Sequence, residues 1–231
     1  MENDAILRRY TNLPVLIDML VREQITILGY NHWVDANDRR GLELYQDKLR
    51  FGFVGAMCLT MASETFHHWQ IFAQGESGVC IVFDRGRLEA ALRDREHFIA
   101  KPVDYVQLNA IGDIDPTDIH RLPFLKRYGF RDEREYRLLA FAAEQHSSMA
   151  VRLTPDLIQR VVFSPFTHPN IVASLKIALR SLPVWRGLSV GRSHLTANET
   201  WQGALQDMVV RHGIEYGDWE PIDPRALLGP A

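Results

Sequence analysis

The segment RDEREYRLLAFAA, residues 131–143, organises this chain, because there a charged run passes directly into an apolar one. The apolar half predicts a strand, and successive side chains of a strand alternate between the two faces of a sheet. In such a strand Glu133, Glu135 and Arg137 project together. Two carboxylates at this spacing raise each other's pKa, whereas the adjacent guanidinium lowers both, and functional sites exploit this adjustable proton affinity. A polar sheet face with a cross-strand ion pair fits the same residues.

The composition is that of an ordinary globular protein: 231 residues, 46% hydrophobic and 24% charged, long enough to bury a sizeable core. A formal net charge of -3 gives no general attraction to nucleic acid or to an anionic membrane. Residues 1–4 are not followed by a long apolar segment, and the longest apolar run, residues 53–62, is too short to span a bilayer. We therefore expect a cytoplasmic protein with no membrane partner, in which Cys58 and Cys80 are buried free thiols.

The predicted elements follow one another in a mixed order. Strands are predicted at residues 7–10, 24–28, 53–60, 78–84, 103–108, 131–143, 149–153, 159–163 and 188–192. Helices are predicted at residues 13–22, 42–49, 63–74, 87–95, 116–127, 169–182 and 198–211. This order predicts an α+β fold with a mixed, largely antiparallel central sheet and helices packed around it. We expect the 149–153 strand to return as the hairpin partner of the 131–143 strand, with residues 145–148 as the connection. We expect one domain over residues 1–196, with a C-terminal helix and extended tail, residues 197–231, packed on it.

Common catalytic signatures are absent from the sequence. There is no GxGxxG turn, no GxxxxGK[ST] loop, no GxSxG elbow and no CxxC or HExxH metal pattern, so assignment to the standard dehydrogenase, P-loop or hydrolase classes loses most of its support. His67 and His68 are adjacent and diverge on a helix, so they do not chelate one ion together. We expect no metal site at these histidines.

Several short motifs resemble the domain of unknown function 2971 family of bacterial proteins. They are RYTNL at residues 9–13, Trp69 and Gly75 ahead of GVCIVFD at 78–84, EREYR at 133–137 and IQRVVFSP at 158–165. The resemblance covers roughly residues 7–196. One departure is NDR at residues 37–39, where the family has Asn-Asp-Pro. The family itself implies no settled activity.

The sequence also has a more distant likeness to ADP-ribosyltransferases, which carry an Arg or His on their first strand and a Glu-x-Glu or related strand late in the chain. Here Arg9 and Glu133-Arg134-Glu135 stand in that order. The likeness implies an ADP-ribosyltransferase-like split sheet, NAD as co-substrate and a toxin or defence role. It leaves the macromolecular acceptor and the oligomeric state open.

The likeness also assigns roles to individual residues. Glu135 would be the catalytic glutamate, because a carboxylate stabilises the oxocarbenium-like state formed when the nicotinamide bond breaks. Glu133 would orient the acceptor. The cofactor-binding set consists of Arg9, on the NAD ribose or phosphate, Tyr10 or Trp69, stacked on a ring, and Arg137.

Two alternatives from other classes use some of the same residues. In a non-catalytic nucleotide- or peptide-binding regulatory module, Trp33, Trp69 and Arg137 line a groove and the glutamates only hold the arginine. In a metal-dependent nuclease, four carboxylates hold Mg²⁺, and these are Asp35, Asp38, Glu133 and Glu135.

Overall fold

The centre of the structure, a computed structural model that describes residues 5–73, 75–115 and 117–211, is a seven-stranded sheet. The strands of the described residues are β1 (Ile6–Asn12), β2 (Gln24–Leu28), β3 (Phe53–Thr60), β4 (Gly78–Asp84), β5 (Phe98–Pro102), β6 (Asp104–Val106), β7 (Leu125–Arg127), β8 (Glu135–Ala142), β9 (Ser148–Arg152), β10 (Ile158–Phe163) and β11 (Val190–Arg192). The large sheet has the order β11-β10-β4-β1-β3-β8-β5, and each pair is antiparallel except β10 with β11. Two small sheets pair β2 with β9 and β6 with β7.

Helices surround this sheet, and several begin at side-chain caps that the sequence supplies. They are α1 (Leu13–Arg22), α2 (Ala36–Leu49), α3 (Phe66–Phe72), α4 (Arg85–Leu92) and α5 (Pro169–Ser181). Asn12 accepts a hydrogen bond from the backbone N–H of Val15, which satisfies one of the free donors at the start of α1. The α+β prediction with a largely antiparallel sheet is therefore confirmed.

The chain divides into two units, one ending at Ser193 and one beginning at His194. The second contains α6 (Glu199–Arg211), where the Asn198 carbonyl oxygen Oδ1 accepts from the backbone N–H of Trp201 at 2.9 Å, as a helix cap does. The predicted extended tail, which begins at residue 215, lies outside the described residues. The domain boundary at residue 196 stays a prediction.

Alternation along the strands creates a core on each face of the sheet. On one face the largest cluster includes Leu7, Met57, Ile81 and Leu138, packed against α1, α4 and α5. On the other face lie two smaller clusters. One contains Trp69, Cys80 and Val82, and the other contains Leu42, Tyr45, Phe124 and Leu139.

Three predictions about individual elements were wrong. The helix expected from residue 42 begins at Ala36, because the Asp35 carboxylate accepts from the backbone N–H groups of Asn37 and Asp38 and caps it. Strand β9 pairs with β2, not with β8, because β3 and β5 already occupy both edges of β8. The predicted helix 116–127 begins at a residue outside the described ones. Its described part forms a 3₁₀ turn at Ile119–Phe124 followed by β7.

Among the described residues, no helix combines the length and the apolar character that crossing a membrane requires.

Gly55 allows β2 to approach β3 closely. Its backbone forms an isolated bridge with Gly29, and a Cβ at Gly55 would lie 2.4 Å from the backbone oxygen of Leu28. We expect Gly55→Ala to lower the free energy of unfolding by about 1–3 kcal/mol in urea denaturation, because backbone must move to relieve the overlap. Gly191→Ala in β11 is the control, since a Cβ there meets nothing within 4 Å. Equal effects of the two substitutions would contradict this account.

Candidate functional site

The sheet opens between β1 and β3. These strands pair only at Arg8 and Thr60, although β1 pairs along its whole length with β4 and β3 along its whole length with β8. Beyond that single pair the strands separate, and residues 9–12 of β1 have no partner in β3. We call this gap the opening. It gives the central sheet the split form that the sequence led us to expect.

Neighbouring residues of β1 face opposite sides of the sheet. The guanidinium of Arg9 points to the larger core, where its Nη1 lies 2.7 Å from the sulfur of Met57 and 3.7 Å from that of Met19. Tyr10 points the other way, where it stacks on His68 with ring centroids 5.2 Å apart and contacts Trp69 edge-on at 5.0 Å. The alternation thus places an arginine and an aromatic ring on the two sides of one strand.

Arg9 lines a cavity of about 250 Å³ within the opening, which we call the arginine cavity. Its walls include Thr26 and Trp33, together with Tyr10 and Cys58. Burial lowers the pKa of Arg9 to about 10, so the guanidinium remains charged near neutral pH. Among the described residues no carboxylate pairs with it, and its side chain donates hydrogen bonds to the two thioether sulfurs. The arginine cavity therefore presents a partly buried cation that has no carboxylate partner in the part of the chain that the structure describes.

Glu133 and Glu135 line a second cavity, of about 130 Å³, which we call the carboxylate cavity. Arg8 and His68 form other parts of its wall. Tyr10 and Cys58 line this cavity as well as the arginine cavity, so the two adjoin. A candidate catalytic carboxylate and a candidate anion-binding arginine thus open onto neighbouring spaces.

Two cations hold the carboxylates in what we call the ion-pair cluster, Asp38, Lys126, Glu133, Glu135 and Arg137. The Nζ of Lys126 lies 2.5 Å from Glu133, 2.9 Å from Glu135 and 3.5 Å from Asp38. The Nε of Arg137 donates to Glu135 at 2.7 Å, and its Nη2 donates to Asp38 at 3.0 Å. Each oxygen of Glu135 therefore faces a different cation.

The cluster gives its carboxyl groups different proton affinities. Burial would raise the pKa of Glu135, but the charges of Arg137 and Lys126 and the hydrogen bond from Arg137 outweigh it and hold this pKa at about 2. Burial raises the pKa of Glu133 and of Asp38 despite their cationic neighbours. Glu135 is therefore a firmly ionised carboxylate, whereas Glu133 binds a proton more readily than usual.

Glu133 reaches the cluster from a turn and not from a strand. Residues Tyr128–Glu133 form a 3₁₀ turn, Arg134 adopts a left-handed conformation with φ 44°, and β8 begins at Glu135. The hydroxyl of Thr60 donates to the backbone oxygen of Glu133 at 2.5 Å and holds the turn against β3. The predicted strand alternation is correct for Glu135 and Arg137. It is wrong for Glu133, because the left-handed residue Arg134 separates Glu133 from the start of β8.

Two residues of the predicted cofactor-binding set lie behind the cavities. Arg137 is 1% exposed, lines neither cavity and stacks over the ring of Trp33 at 5.0 Å. Trp69 is fully buried behind Tyr10, and its Nε1 donates to Glu64 at 2.8 Å. The structure thus brings Glu133, Glu135 and Tyr10 to one cavity and Arg9 to the adjoining one. Direct ligand contacts by Arg137 and Trp69 stay predictions.

The structure adds residues that sequence reasoning did not include. Lys126 stands in a short LKR strand, and no sequence signal distinguishes it from a surface lysine. Arg8, next to Arg9 on β1, lines the carboxylate cavity and was not among the predicted site residues. Cys58 is exposed into the opening, not buried as predicted, because β3 has no neighbouring strand on that side.

The carboxylates of the nuclease alternative are only partly brought together. Among the described residues, no group of His, Cys, Asp or Glu is arranged to hold a metal ion. Asp38, Glu133 and Glu135 surround Lys126, while the carboxylate of Asp35 caps α2. The positive charge at the centre of these three acids is an ammonium group.

We expect Glu135→Gln to destabilise the fold. The substitution leaves the buried Arg137 guanidinium without its closest anionic partner, and breaking a buried ion pair typically costs about 3–5 kcal/mol. Urea denaturation at pH 7 measures the loss. Glu133→Gln is the matched control with a smaller expected loss, because the Glu133 side chain is 23% exposed against 3% for Glu135. A larger loss of unfolding free energy for Glu133→Gln than for Glu135→Gln would contradict this explanation.

The difference in stability between wild type and Glu135→Gln should depend on pH. The pKa of Glu135 is lowered from 4.5 to about 2 in the folded protein, so its stabilising contribution is complete above pH 4.5 and is lost as pH falls toward 2. The difference in unfolding free energy should therefore be constant near neutrality and narrow in acid. If the difference in unfolding free energy stays constant down to pH 2, the ion pairs do not lower the pKa of Glu135.

Comparisons with known proteins give a distant structural likeness. The chain is similar to solved structures of Thermus sp. 2.9 DarT, one in complex with NAD⁺ (TM-score 0.45, 12% identity, 83% of this chain and 96% of that chain). Others are in complex with ADP-ribosylated ssDNA (TM-score 0.43, 12% identity, 84% and 98%) and with carba-NAD⁺ (TM-score 0.43, 12% identity, 84% and 97%). No family model and no curated relative matches the chain. Membership of the domain of unknown function 2971 family therefore stays a prediction.

Proposed function

We propose that this chain is an NAD-dependent ADP-ribosyltransferase-like enzyme. The observation that carries the proposal is that Arg9, a guanidinium with no carboxylate partner among the described residues, and Glu135, an ionised carboxylate, open onto adjoining cavities that share Tyr10 and Cys58. NAD carries an anionic pyrophosphate and a cationic nicotinamide ring. Arg9 is opposite in charge to the pyrophosphate and Glu135 is opposite in charge to the nicotinamide ring, so the two charged groups of the protein complement those of NAD.

Arg9 would bind the pyrophosphate. A guanidinium pairs with phosphate oxygens through two parallel hydrogen bonds, and its attraction for an anion is strongest where water is excluded. A cation in this position is costly for the ligand-free protein, because it is desolvated without a carboxylate to compensate it. A ligand that brings negative charge removes that cost, which is a physical reason for keeping an arginine here.

Glu135 would stabilise the reacting ribose. When the bond between C1′ and the nicotinamide nitrogen breaks, positive charge develops on the ribose, and a fixed carboxylate stabilises that charge and holds a ribose hydroxyl. Lys126 and Arg137 orient Glu135 in advance, so the carboxylate needs no rearrangement during the reaction. Nicotinamide leaves with the electrons of the broken bond, and the acceptor forms the new bond to C1′.

The other predicted residues would act around this pair. Tyr10 forms the wall common to both cavities and is placed to contact the ring or ribose between the two charged ends. Trp69 would hold the Tyr10 ring from behind, and Arg137 would hold Glu135. Glu133, at the same cavity, would orient the acceptor.

Arg9→Met separates ligand binding from folding. Because Arg9 has no carboxylate partner among the described residues, its replacement by a side chain of similar length should leave the free energy of unfolding unchanged or raise it. Binding of NAD should weaken by at least about tenfold, since hydrogen bonds to charged groups contribute about 1.5–3 kcal/mol. Isothermal calorimetry measures the binding and urea denaturation the stability. Arg22→Met is the control, because Arg22 is an exposed arginine paired with Asp18 on α1.

Glu135→Gln tests the chemical step. We expect nicotinamide release from NAD to fall by about 10²–10³-fold, the typical effect of removing a group that stabilises transition-state charge. Release is measured with water, protein and nucleic acid mixtures as acceptors. The assay is run under conditions in which urea denaturation shows that the variant is folded. Wild-type protein that neither binds nor consumes NAD would remove the proposal. Binding without turnover would instead support the non-catalytic nucleotide-binding alternative.

A further inference from the structure

Lys126 occupies the centre of the ion-pair cluster although no sequence motif distinguishes it. Its side chain is 10% exposed, and its ammonium group lies within 3.5 Å of carboxylates from α2, from the 128–133 turn and from β8. An ammonium has three donors, and here three carboxylates face them. The Phe130 ring, 5.0 Å from Nζ, covers another side of the group. The position is that of a buried connector and not of a solvated surface charge.

We propose that Lys126 is a positioning residue that keeps Glu133 and Glu135 side by side at the carboxylate cavity and divides their roles, with Glu135 held as the anion and Glu133 left to take the acceptor's proton. This inference rests on the proposed function, because it assigns the second carboxylate of the same reaction. The inference goes beyond the proposed function by naming the residue that makes two neighbouring carboxylates act differently.

The division of roles follows from the unequal contacts of the two glutamates. Glu135 contacts both cations, through Oε1 to Arg137 and through Oε2 to Lys126. Among the described residues, Glu133 forms an ion pair with Lys126 alone, and its side chain is 23% exposed at the cavity. Without Lys126, two carboxylates would face each other with only Arg137 behind one of them. Their repulsion would then push Glu133 away or protonate it before the acceptor arrives.

The proton transfer balances without an added reagent. The C1′–nicotinamide bond breaks and nicotinamide leaves with its electron pair, while an acceptor X–H attacks C1′ through X. The proton of X–H passes to Glu133, which starts the step ionised and ends it protonated. Solvent then returns Glu133 to its ionised form. Glu135 keeps its charge throughout, because Lys126 and Arg137 remain paired with it.

Several other titratable or charged groups face Lys126, and the experiment must separate their effects. They are Asp35 and Asp38 on the α2 side, Cys58 on β3, Tyr105 on β6, and Glu133 and Glu135 themselves. Carbon-detected NMR resolves each carboxyl group individually, so a change at Glu133 can be distinguished from a change at Asp38. The measurement needs no NAD, so its result is independent of whether the proposed enzyme activity exists.

The test is a carboxyl titration by NMR of the wild type, Lys126→Met and Lys126→Arg. We expect the pKa of Glu133 to rise by about 1–3 units in Lys126→Met, the typical effect of removing an adjacent opposite charge, and to return toward the wild-type value in Lys126→Arg. In the pH profile of the rate of nicotinamide release, the acidic limb should shift by the same number of pH units. Lys101→Met is the control, since Lys101 contacts the Phe124 ring at 4.4 Å and makes no ion pair among the described residues.

An unchanged Glu133 titration in folded Lys126→Met would overturn the inference, as would the same shift in Lys101→Met. If Lys126→Met does not fold, the wild type alone provides the test, because the Nζ resonance of Lys126 must then change with the Glu133 titration. No response of that resonance would also overturn it. Failure of NAD turnover with the expected titration shifts would remove the proposed function but leave the role of Lys126 in the cluster intact.

Discussion

The ion pairs of Arg137 and Lys126 tie together parts of the chain that are far apart in sequence. Asp38 comes from α2, Lys126 from β7, and Glu135 and Arg137 from β8, and the contacts join residues up to 99 positions apart. Burying such charges is expensive, and well-packed apolar side chains often give equal or greater stability. Stability alone therefore does not account for the cluster. The proposed role for its carboxylates at the adjoining cavity would account for the cluster, since perturbed carboxyl groups concentrate at functional sites.

The second constraint is the separation of β1 from β3 after one residue pair. If pairing continued, Tyr10 would face Cys58 across a closed sheet and neither cavity would exist. The bridge from Gly29 to Gly55 brings β2 to the far side of the opening, where Thr26 and Trp33 help to enclose the arginine cavity. Residues of β1 line the opening on both sides. Arg9 faces the methionine-lined core, whereas Arg8 and Tyr10 face the carboxylates.

Sequence patterns predicted the elements that local chemistry specifies. The Asn12 cap set the start of α1, and the apolar runs 53–60 and 78–84 gave β3 and β4 at their observed bounds. The failures were non-local. Pairing of β9 depends on which strand edges remain free. The turn before Glu135 depends on a left-handed residue, Arg134, which is not a glycine and so cannot be recognised from the sequence. Lys126 could not be identified because its proposed role depends on contacts with three carboxylates from other elements of the fold, and not on its immediate neighbours in the sequence.

Charge balance links the two cavities to the proposed ligand. With its acids ionised, the cluster holds three carboxylates against two cations and so keeps one surplus negative charge, while Arg9 is a positive charge without a carboxylate partner among the described residues. The ligand-free site is therefore polarised across the opening. A purely anionic ligand would satisfy Arg9 and be repelled by Glu135, and a purely cationic one would do the reverse. A dipolar molecule with its cationic ring toward Glu135 and its phosphates toward Arg9 satisfies both, and NAD has this distribution of charge.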